Sequence, residues 1–389
     1  MVFFVFLLCG FSSAIASRTL DPLTIVIARD LAVPATSIAM LASALTLPFA
    51  LAQPILGPVG DHFGKARILL ISLWLSAASL AAAAVADSYS TFFASRVLTG
   101  IAGAGVMPVA MAMIGDIYTR GRQVVIARFV ASAIMGQILG AVFAGVVEAQ
   151  IGWRGVMWIC CAVVFTAAAA ATLLLPKQPA PVGRGAFSVG AAIRTYRSIF
   201  RNRRSWACYG TVFVIGGLTF GFLPFISPVL ESQNNGGARE AGFIIAGMAT
   251  GSLVFSLFLP YFLRIVSRPV LIGIGGLTGG TAFVTYSIGL HWSAQAAIFS
   301  CIGLGFFMMH NSVQTEVAEI EPTARSSAYA MHAFFFFLGQ SAGPLIWSLA
   351  ISTLGAQIAL VSLGLVVMIA GLIASYVFAR LPLIVSGRL

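Results

Sequence analysis

A chain of 389 residues that is 59% hydrophobic and 8% charged, with a mean hydropathy of +1.00, is not a water-soluble domain, in which about a quarter of residues carry charge. Its formal net charge of +11 does not call for a nucleic-acid partner, because the cations lie in short gaps between apolar runs, where they act as topology signals and contacts to anionic membrane lipids. The cysteines, Cys9, Cys160, Cys161, Cys208 and Cys301, all fall in apolar stretches without zinc or disulfide spacing, so they read as packing residues and no metal or cofactor is expected.

Apolar runs of about 20 residues, each long enough to cross a hydrocarbon core of about 30 Å as a helix, recur along the chain. They predict an all-α membrane protein with twelve spans, at about 2–27, 35–58, 66–86, 91–114, 124–147, 153–175, 207–230, 240–263, 269–290, 294–314, 326–351 and 355–380.

The first run begins like a secretory signal, with Ala14, Ala16 and Ser17 mimicking a cleavage site. It has no basic leading segment, and Leu20, Leu23, Ile25 and Val26 extend it to a full span, so an uncleaved first helix is predicted. Arg18 and Asp21 lie three apart on one face of it. A charge at mid-helix costs about 2.5–3.5 kcal/mol on insertion scales, so such residues face a partner or a wet cavity. Two readings stand: the pair neutralises itself, or Asp21 carries protons under the influence of burial, Arg18 and Arg96. Arg96, near the outer end of the fourth span, either snorkels to water or faces the cavity, where it binds an anionic solute or tunes Asp21.

Lysine and arginine alternate between gaps. With the amino terminus inside, the inner gaps hold Lys65 and Arg67, then Arg120, Arg122 and Arg128, then the run from Lys177 through Arg184, Arg194, Arg197, Arg201 and Arg203 to Arg204. Arg264, Arg268, Arg325, Arg380 and Arg388 complete the inner set, and Arg18, Arg29, Arg96, Arg154 and Arg239 remain. The positive-inside rule then places both termini in the cytoplasm. With little predicted outside the spans and no glycosylation acceptor, a bacterial inner membrane fits.

Shifting the chain by 203 positions lays Gly136 and Gln137 on Gly339 and Gln340, Gly140 on Gly343, Gly100 on Gly303, Arg122 on Arg325 and Asp116 on Glu319. That register predicts two six-helix halves. Between them, the segment after Pro176 carries Pro179, Pro181, Gly183 and Gly185. It is followed by Ile193, Tyr196 and Phe200 at helical spacing among arginines, an amphipathic helix set to lie on the inner lipid surface. The expected division is a bundle over 1–176, a cytoplasmic linker over 177–205 and a second bundle over 206–389.

The gap after the second span reads Gly57, Pro58, Val59, Gly60, Asp61, His62, Phe63, Gly64, Lys65, Ala66, Arg67. It resembles the signature loop of the major facilitator superfamily, departing from it at His62 and Ala66. Asp116 with Arg120 and Arg122, Arg96 with Gly100, and Trp153 with Arg154 add to the resemblance. Gly136, Gly140, Ala144 and Gly145 of the fifth span are similar to the motif of the drug and proton antiporter branch, with Ala141 where proline is usual. The resemblance covers essentially the whole chain. It implies a fold of two pseudo-symmetric bundles and secondary active transport of a small organic solute by alternating access, with proton-coupled efflux as the leading reading and uptake of a nutrient or metabolite as the alternative. A monomer is expected.

Each motif has a physical task. Asp61 can accept charge-assisted hydrogen bonds from arginines or a helix amino end, forming an inner lock that Asp116 and Arg122 extend, with Glu319 and Arg325 as a looser counterpart. The glycines Gly136, Gly140, Gly145, Gly339 and Gly343 permit close helix approach, and Pro344 and Pro108 allow deformation, so these faces could meet the opposite half and gate a cavity. Gln53, Gln137, His310, Asn311, His332 and Gln340 are polar enough to touch a solute or to bond between helices; the two histidines can change charge near neutral pH. An enzyme is not expected: a metalloprotease motif and a phosphate-cradling loop are both missing, since Gly64–Lys65–Ala66 has no hydroxyl. A channel would repeat pore-lining polar rings through an oligomer, for which two unequal halves offer no support.

Overall fold

The computed structural model describes residues 1–118, 122–176, 189–320 and 325–381. Among them every regular element is helical, as a chain in lipid requires if each backbone N–H and C=O is to find a partner within its own segment. The first span is α1 (Val2–Arg18), a 3-10 turn at Asp21–Leu23 and α2 (Thr24–Asp30); the second is α3 (Ala35–Phe63), the third α4 (Lys65–Ala84), and the fourth α5 (Tyr89–Gly103) with α6 (Val106–Ile117). Next come α7 (Arg122–Leu174) and α8 (Val189–Arg201). The seventh span is α9 (Arg203–Gly221), a 3-10 turn at Leu223–Phe225 and α10 (Ile226–Ser232), and α11 (Ala238–Ile265), α12 (Arg268–Tyr286), α13 (Trp292–Ile320), α14 (Arg325–Leu354) and α15 (Ala356–Arg380) follow.

Eleven stretches are long and apolar enough to cross a membrane, and one of them, Val124–Leu174, has 51 residues. At 1.5 Å per residue it is about 76 Å long, more than twice the hydrocarbon thickness. It breaks at Gly152, whose φ of 69° and ψ of 165° are not helical, so it supplies two crossings and the expected twelve are present.

Two compact units divide the chain. The first holds the first six spans together with Pro224–Glu231 and Gly236–Ala246; the second holds α8, α9, residues 232–235 and the chain from Gly247 onward. In the first, α1 packs along α7, and α4 against α7 and α5; in the second, α9 packs along α14, and α12 against α13 and α15. The first core is made of Phe6, Cys9, Leu73, Met113 and Phe129 toward one end and Leu23, Leu41, Phe92, Trp153 and Met157 toward the other.

The 203-residue register reappears as geometry within each unit. A Cβ on Gly100 would run into the Leu45 carbonyl oxygen, and a Cβ on Gly303 into that of Met248, 203 positions on. Gly152 and Gly355, equally spaced, both turn the chain at positive φ, which costs a side chain but not glycine. The first and seventh spans both break into 3-10 turns at a proline, Pro22 and Pro224, which cannot donate to the helical ladder.

The linker helix α8 keeps Arg194, Arg197 and Arg201 exposed. The spacing gives its apolar face to lipid, but Ile199 is fully buried and Phe200 packs on Tyr209 and Phe335 at ring distances of 5.8 and 6.2 Å. These two residues dock the helix on α9 and α14. Lys177, Pro179, Pro181, Gly183, Arg184 and Gly185, and the side chain of Ile193, lie outside the described residues, as do Arg120 and Arg388.

Candidate functional site

The 3-10 turn in the first span exposes a place where a polar side chain can sit among helices, and Asp21 occupies it at 2% exposure. Arg18, one turn earlier, reaches it with Nη1 3.5 Å from Oδ2. Arg96 comes from α5. Of the two readings of its position, water or the interior, the structure gives the interior: it is buried to 1% exposure, because α5 turns this face inward, where it lies within electrostatic range of Asp21 and Arg18. Among the described residues, Asp21 Oδ2 and Arg96 Nε have no hydrogen-bond partner. Of the three sequence-predicted coupling residues, Arg18 and Asp21 are thus paired, and Arg96 is buried within electrostatic range of both.

Beyond them lies a small cavity of about 20 Å³, space for about one water. Ser13 and Ser17 of α1, Ser76 of α4 and Thr99 of α5 line it; Ser76 Oγ has no partner among the described residues, and Thr99 bonds Ser79 at 2.9 Å. Ser17 and Thr99 are one turn from Asp21 and Arg96 on their own helices, so the hydroxyls continue the polar track that the charges begin.

In the second unit, His310 and His332 face each other across α13 and α14 with ring centroids 5.0 Å apart. Phe336 stands 4.8 Å from His310, Phe306 is stacked on it at 5.2 Å, and Phe220 touches both phenylalanines. His332 is buried, and among the described residues neither of its ring nitrogens, nor His310 Nδ1, has a hydrogen-bond partner. A neutral imidazole has one donor and one acceptor, so this pair can take a polar solute group between aromatic faces. Gln340, two turns on from His332, and Gln53 are also buried, Gln53 bonding back to Phe49 in its own helix. Asn311 and Gln137 are half-buried.

The signature loop is partly described. Gly57 and Asp61 fall in α3, with side chains outside the described residues, as is that of Arg122. Gly64 turns the chain at φ 91° into α4, Lys65 Nζ bonds Asp116 Oδ2 at 2.7 Å and Arg67 is exposed. In the repeat, Glu319 is held by Arg268 at 2.9 Å.

Sequence reasoning missed the strongest member of that network. Glu316, one turn before Glu319, is buried and accepts from Arg204 Nε at 2.9 Å. Arg268 Nη1 lies 3.6 Å from its other oxygen, while Arg204 also donates to the Leu381 carbonyl. The available signal was a carboxylate inside an apolar run at one-turn spacing from a second one. Two contacts at the far end of the first span were also missed: Arg29 pairs with Glu231, and Asp30 accepts from Trp153 Nε1 at 3.1 Å and from Arg154. Arg29, one of the cations left outside the inner set by the charge pattern, thus points to Glu231.

The glycine faces close mostly within their own half. A Cβ on Gly136 or Gly140 would strike Phe11 or Ile15 of α1, and one on Gly339 or Gly343 would strike Phe213 or Gly217 of α9. Gly145 instead approaches a segment from the other half of the sequence: within the first unit it abuts the Ala238 carbonyl, and Gly242 abuts that of Ala141. Pro344 lies within α14, and its backbone nitrogen is 3.0 Å from where a Cβ on Gly221 would stand.

Residues 6–344 match the family model of the Major Facilitator Superfamily. The chain is 28% identical over 300 residues to a low affinity ammonium transporter of Saccharomyces cerevisiae, covering 75% of this chain and 54% of the relative. It is 22% identical to the efflux pump atB of Aspergillus terreus, covering 79% and 75%, and 26% identical to a bacillibactin exporter of Bacillus subtilis, covering 62% and 59%. It thus spans little more than half the length of some curated relatives. In structure it is similar to a bacterial homolog of the human lysosomal transporter Spinster in an inward-facing, occupied conformation (TM-score 0.77, 16% identity, 98% and 97% coverage). It also resembles a peptide transporter POT in complex with sulfate (TM-score 0.80, 13% identity, 97% and 94% coverage).

Proposed function

The chain belongs to the major facilitator superfamily, and from there we propose that it is a proton-coupled secondary transporter that exports a small organic solute by alternating access. The observation that carries this reading is Asp21, buried beside Arg18 and within range of Arg96. A carboxylate held away from water between two cations has a proton affinity that depends on the distance to each, and a conformational change that alters those distances couples proton movement to transport. The small cavity lined by Ser17 and Thr99 together with apolar Leu45, Phe49, Leu73 and Val106 lies one turn along the chain from Asp21 and Arg96 and is a candidate water position for proton delivery.

Around this centre the remaining residues take supporting parts. The His310–His332 cluster is the solute contact of the second unit, and Gln53, Gln137, Asn311 and Gln340 are its candidate polar neighbours. Lys65–Asp116 and Arg268–Glu319, with Gly57, Asp61, Gly64, Arg67 and Arg122, form the cytoplasmic gate. The Arg29–Glu231 pair and the Gly145–Ala238 approach are outer contacts that part in each cycle. The protein works as a monomer in a bacterial inner membrane with both termini inside, and catalyses no covalent reaction.

Uptake of a metabolite on the same fold is the second reading, supported by the similarity to the low affinity ammonium transporter. Proteoliposomes with an acidic interior reported by a pH-sensitive dye separate the two when challenged with cationic, neutral and anionic solutes. Solute-triggered alkalinisation in wild type and none in Asp21→Asn supports antiport; gradient-driven flux unchanged in Asp21→Asn removes Asp21 from the mechanism. In vesicles with the gradient reversed, solute uptake driven by protons moving inward selects the second reading.

A further inference from the structure

Outside the polar cluster, the first unit carries a groove of about 710 Å³ between α4 and the last turns of α7. Leu70, Ile71 and Leu75 of α4 form one wall and Thr172 and Pro176 the other, with the buried Ala171 and Leu175 at its floor. One end is closed where Trp74 donates to Thr172 at 3.1 Å and packs edge-on against Phe165 at 5.1 Å. The other end, toward the start of α4, carries Arg67, the one charged residue among the described residues that line the groove.

We propose that this groove holds an acyl chain of an anionic phospholipid whose phosphate is bound by Arg67. Ile71 and Trp74 are 51% and 39% exposed, which in a span places their surfaces against lipid tails. Tails solvate such walls as well as protein does, so the apolar part alone gives little selectivity. The charge supplies it. Lys65, two residues away, is engaged by Asp116 at 2.7 Å, whereas no acidic side chain among the described residues pairs with Arg67, which is exposed. An arginine is suited to a phosphate because its planar fork matches two oxygens at once. From Arg67 to Trp74 the helix rises about 10 Å, a length over which the first part of an acyl chain can lie while its headgroup stays at the inner surface.

Native mass spectrometry of the purified full chain in detergent tests this, with dioleoyl phosphatidylglycerol and dioleoyl phosphatidylcholine added separately. Wild type is expected to retain one phosphatidylglycerol adduct that phosphatidylcholine does not match. Arg67→Gln should weaken that adduct about fivefold, the ratio equivalent to one surface cation acting on an anionic lipid. Arg67→Lys should keep more of it than Arg67→Gln, and Arg194→Gln, which removes an equal charge from α8, should leave it unchanged. Thr172→Trp, which fills the closed end, should lower the adduct at an unchanged melting temperature. Equal losses in Arg67→Gln and Arg194→Gln would reduce the effect to overall charge and overturn the proposal. An adduct indifferent to Thr172→Trp would move it elsewhere, and a dimer that disappears in Thr172→Trp would give the groove to a second copy of the chain.

Discussion

Arg268 Nη1 holds Glu319 Oε1 at 2.9 Å, and 203 residues earlier Lys65 Nζ holds Asp116 Oδ2 at 2.7 Å. The same ion pair is built twice, across the same step from the start of one span to the end of the next. Glu316 and Arg204 exist in the second copy alone, because the matching positions of the first are Met113 and Met1. The second network is therefore deeper and more tightly held.

Burial decides how much each pair matters. Removing one partner of a buried pair costs about 3–5 kcal/mol, so Glu316→Leu should lower thermal stability in detergent severely by stranding the Arg204 charge. The double variant Arg204→Met/Glu316→Leu should recover most of the loss. Asp116→Asn, at a pair half open to water, should cost at most about 1 kcal/mol. A double variant no better than Glu316→Leu would contradict the buried-charge account.

Gly100→Ala and Gly303→Ala should destabilise by similar amounts, about 1–3 kcal/mol each, because each added methyl meets a backbone oxygen that cannot move without its helix. Gly210→Ala, where the space is open, should gain up to about 1 kcal/mol from helix propensity. Melting curves of the three variants are enough to compare them.

If the outer contacts part during transport, fastening them should stop it. Arg29→Cys/Glu231→Cys, in a background with the five native cysteines replaced by alanine, should lose transport when bridged by a short bis-methanethiosulfonate reagent, which spans positions too far apart for a direct disulfide, and regain it with reductant. Full transport by the bridged protein, with the crosslink verified by mass, would show that this contact stays closed throughout the cycle.

His332→Phe tests the solute contact. Its ring nitrogens are buried without partners among the described residues, so an apolar ring of similar shape should leave stability equal or improved. Half-saturation for the transported solute should rise at least about fivefold, the loss of roughly one hydrogen bond. A fall in melting temperature with unchanged half-saturation would make the histidine a packing residue.

The span pattern was legible because lipid forces every span to be long, apolar and hydrogen-bonded within itself, which writes helix number into composition. The 203-residue repeat was legible at Gly100 and Gly303, where close backbone approach excludes any side chain. Asp21 stood out because a carboxylate in an apolar run is costly and rare. Arg204 was hidden: beside Arg203 it reads as one more inner cation, and its partner Glu316 lies 112 residues away.

Sequence by itself determined the twelve spans, their duplication and the residues too polar to lie idle in lipid, since each depends on local composition or on a fixed spacing. Tertiary structure alone decided which of them meet. It buried Arg96 instead of letting it reach water, turned Arg29 to Glu231, laid Phe200 on Tyr209 and brought His310 to His332. Those outcomes depend on how each helix is rotated about its axis and which neighbour fills the facing groove, and packing between distant segments sets both.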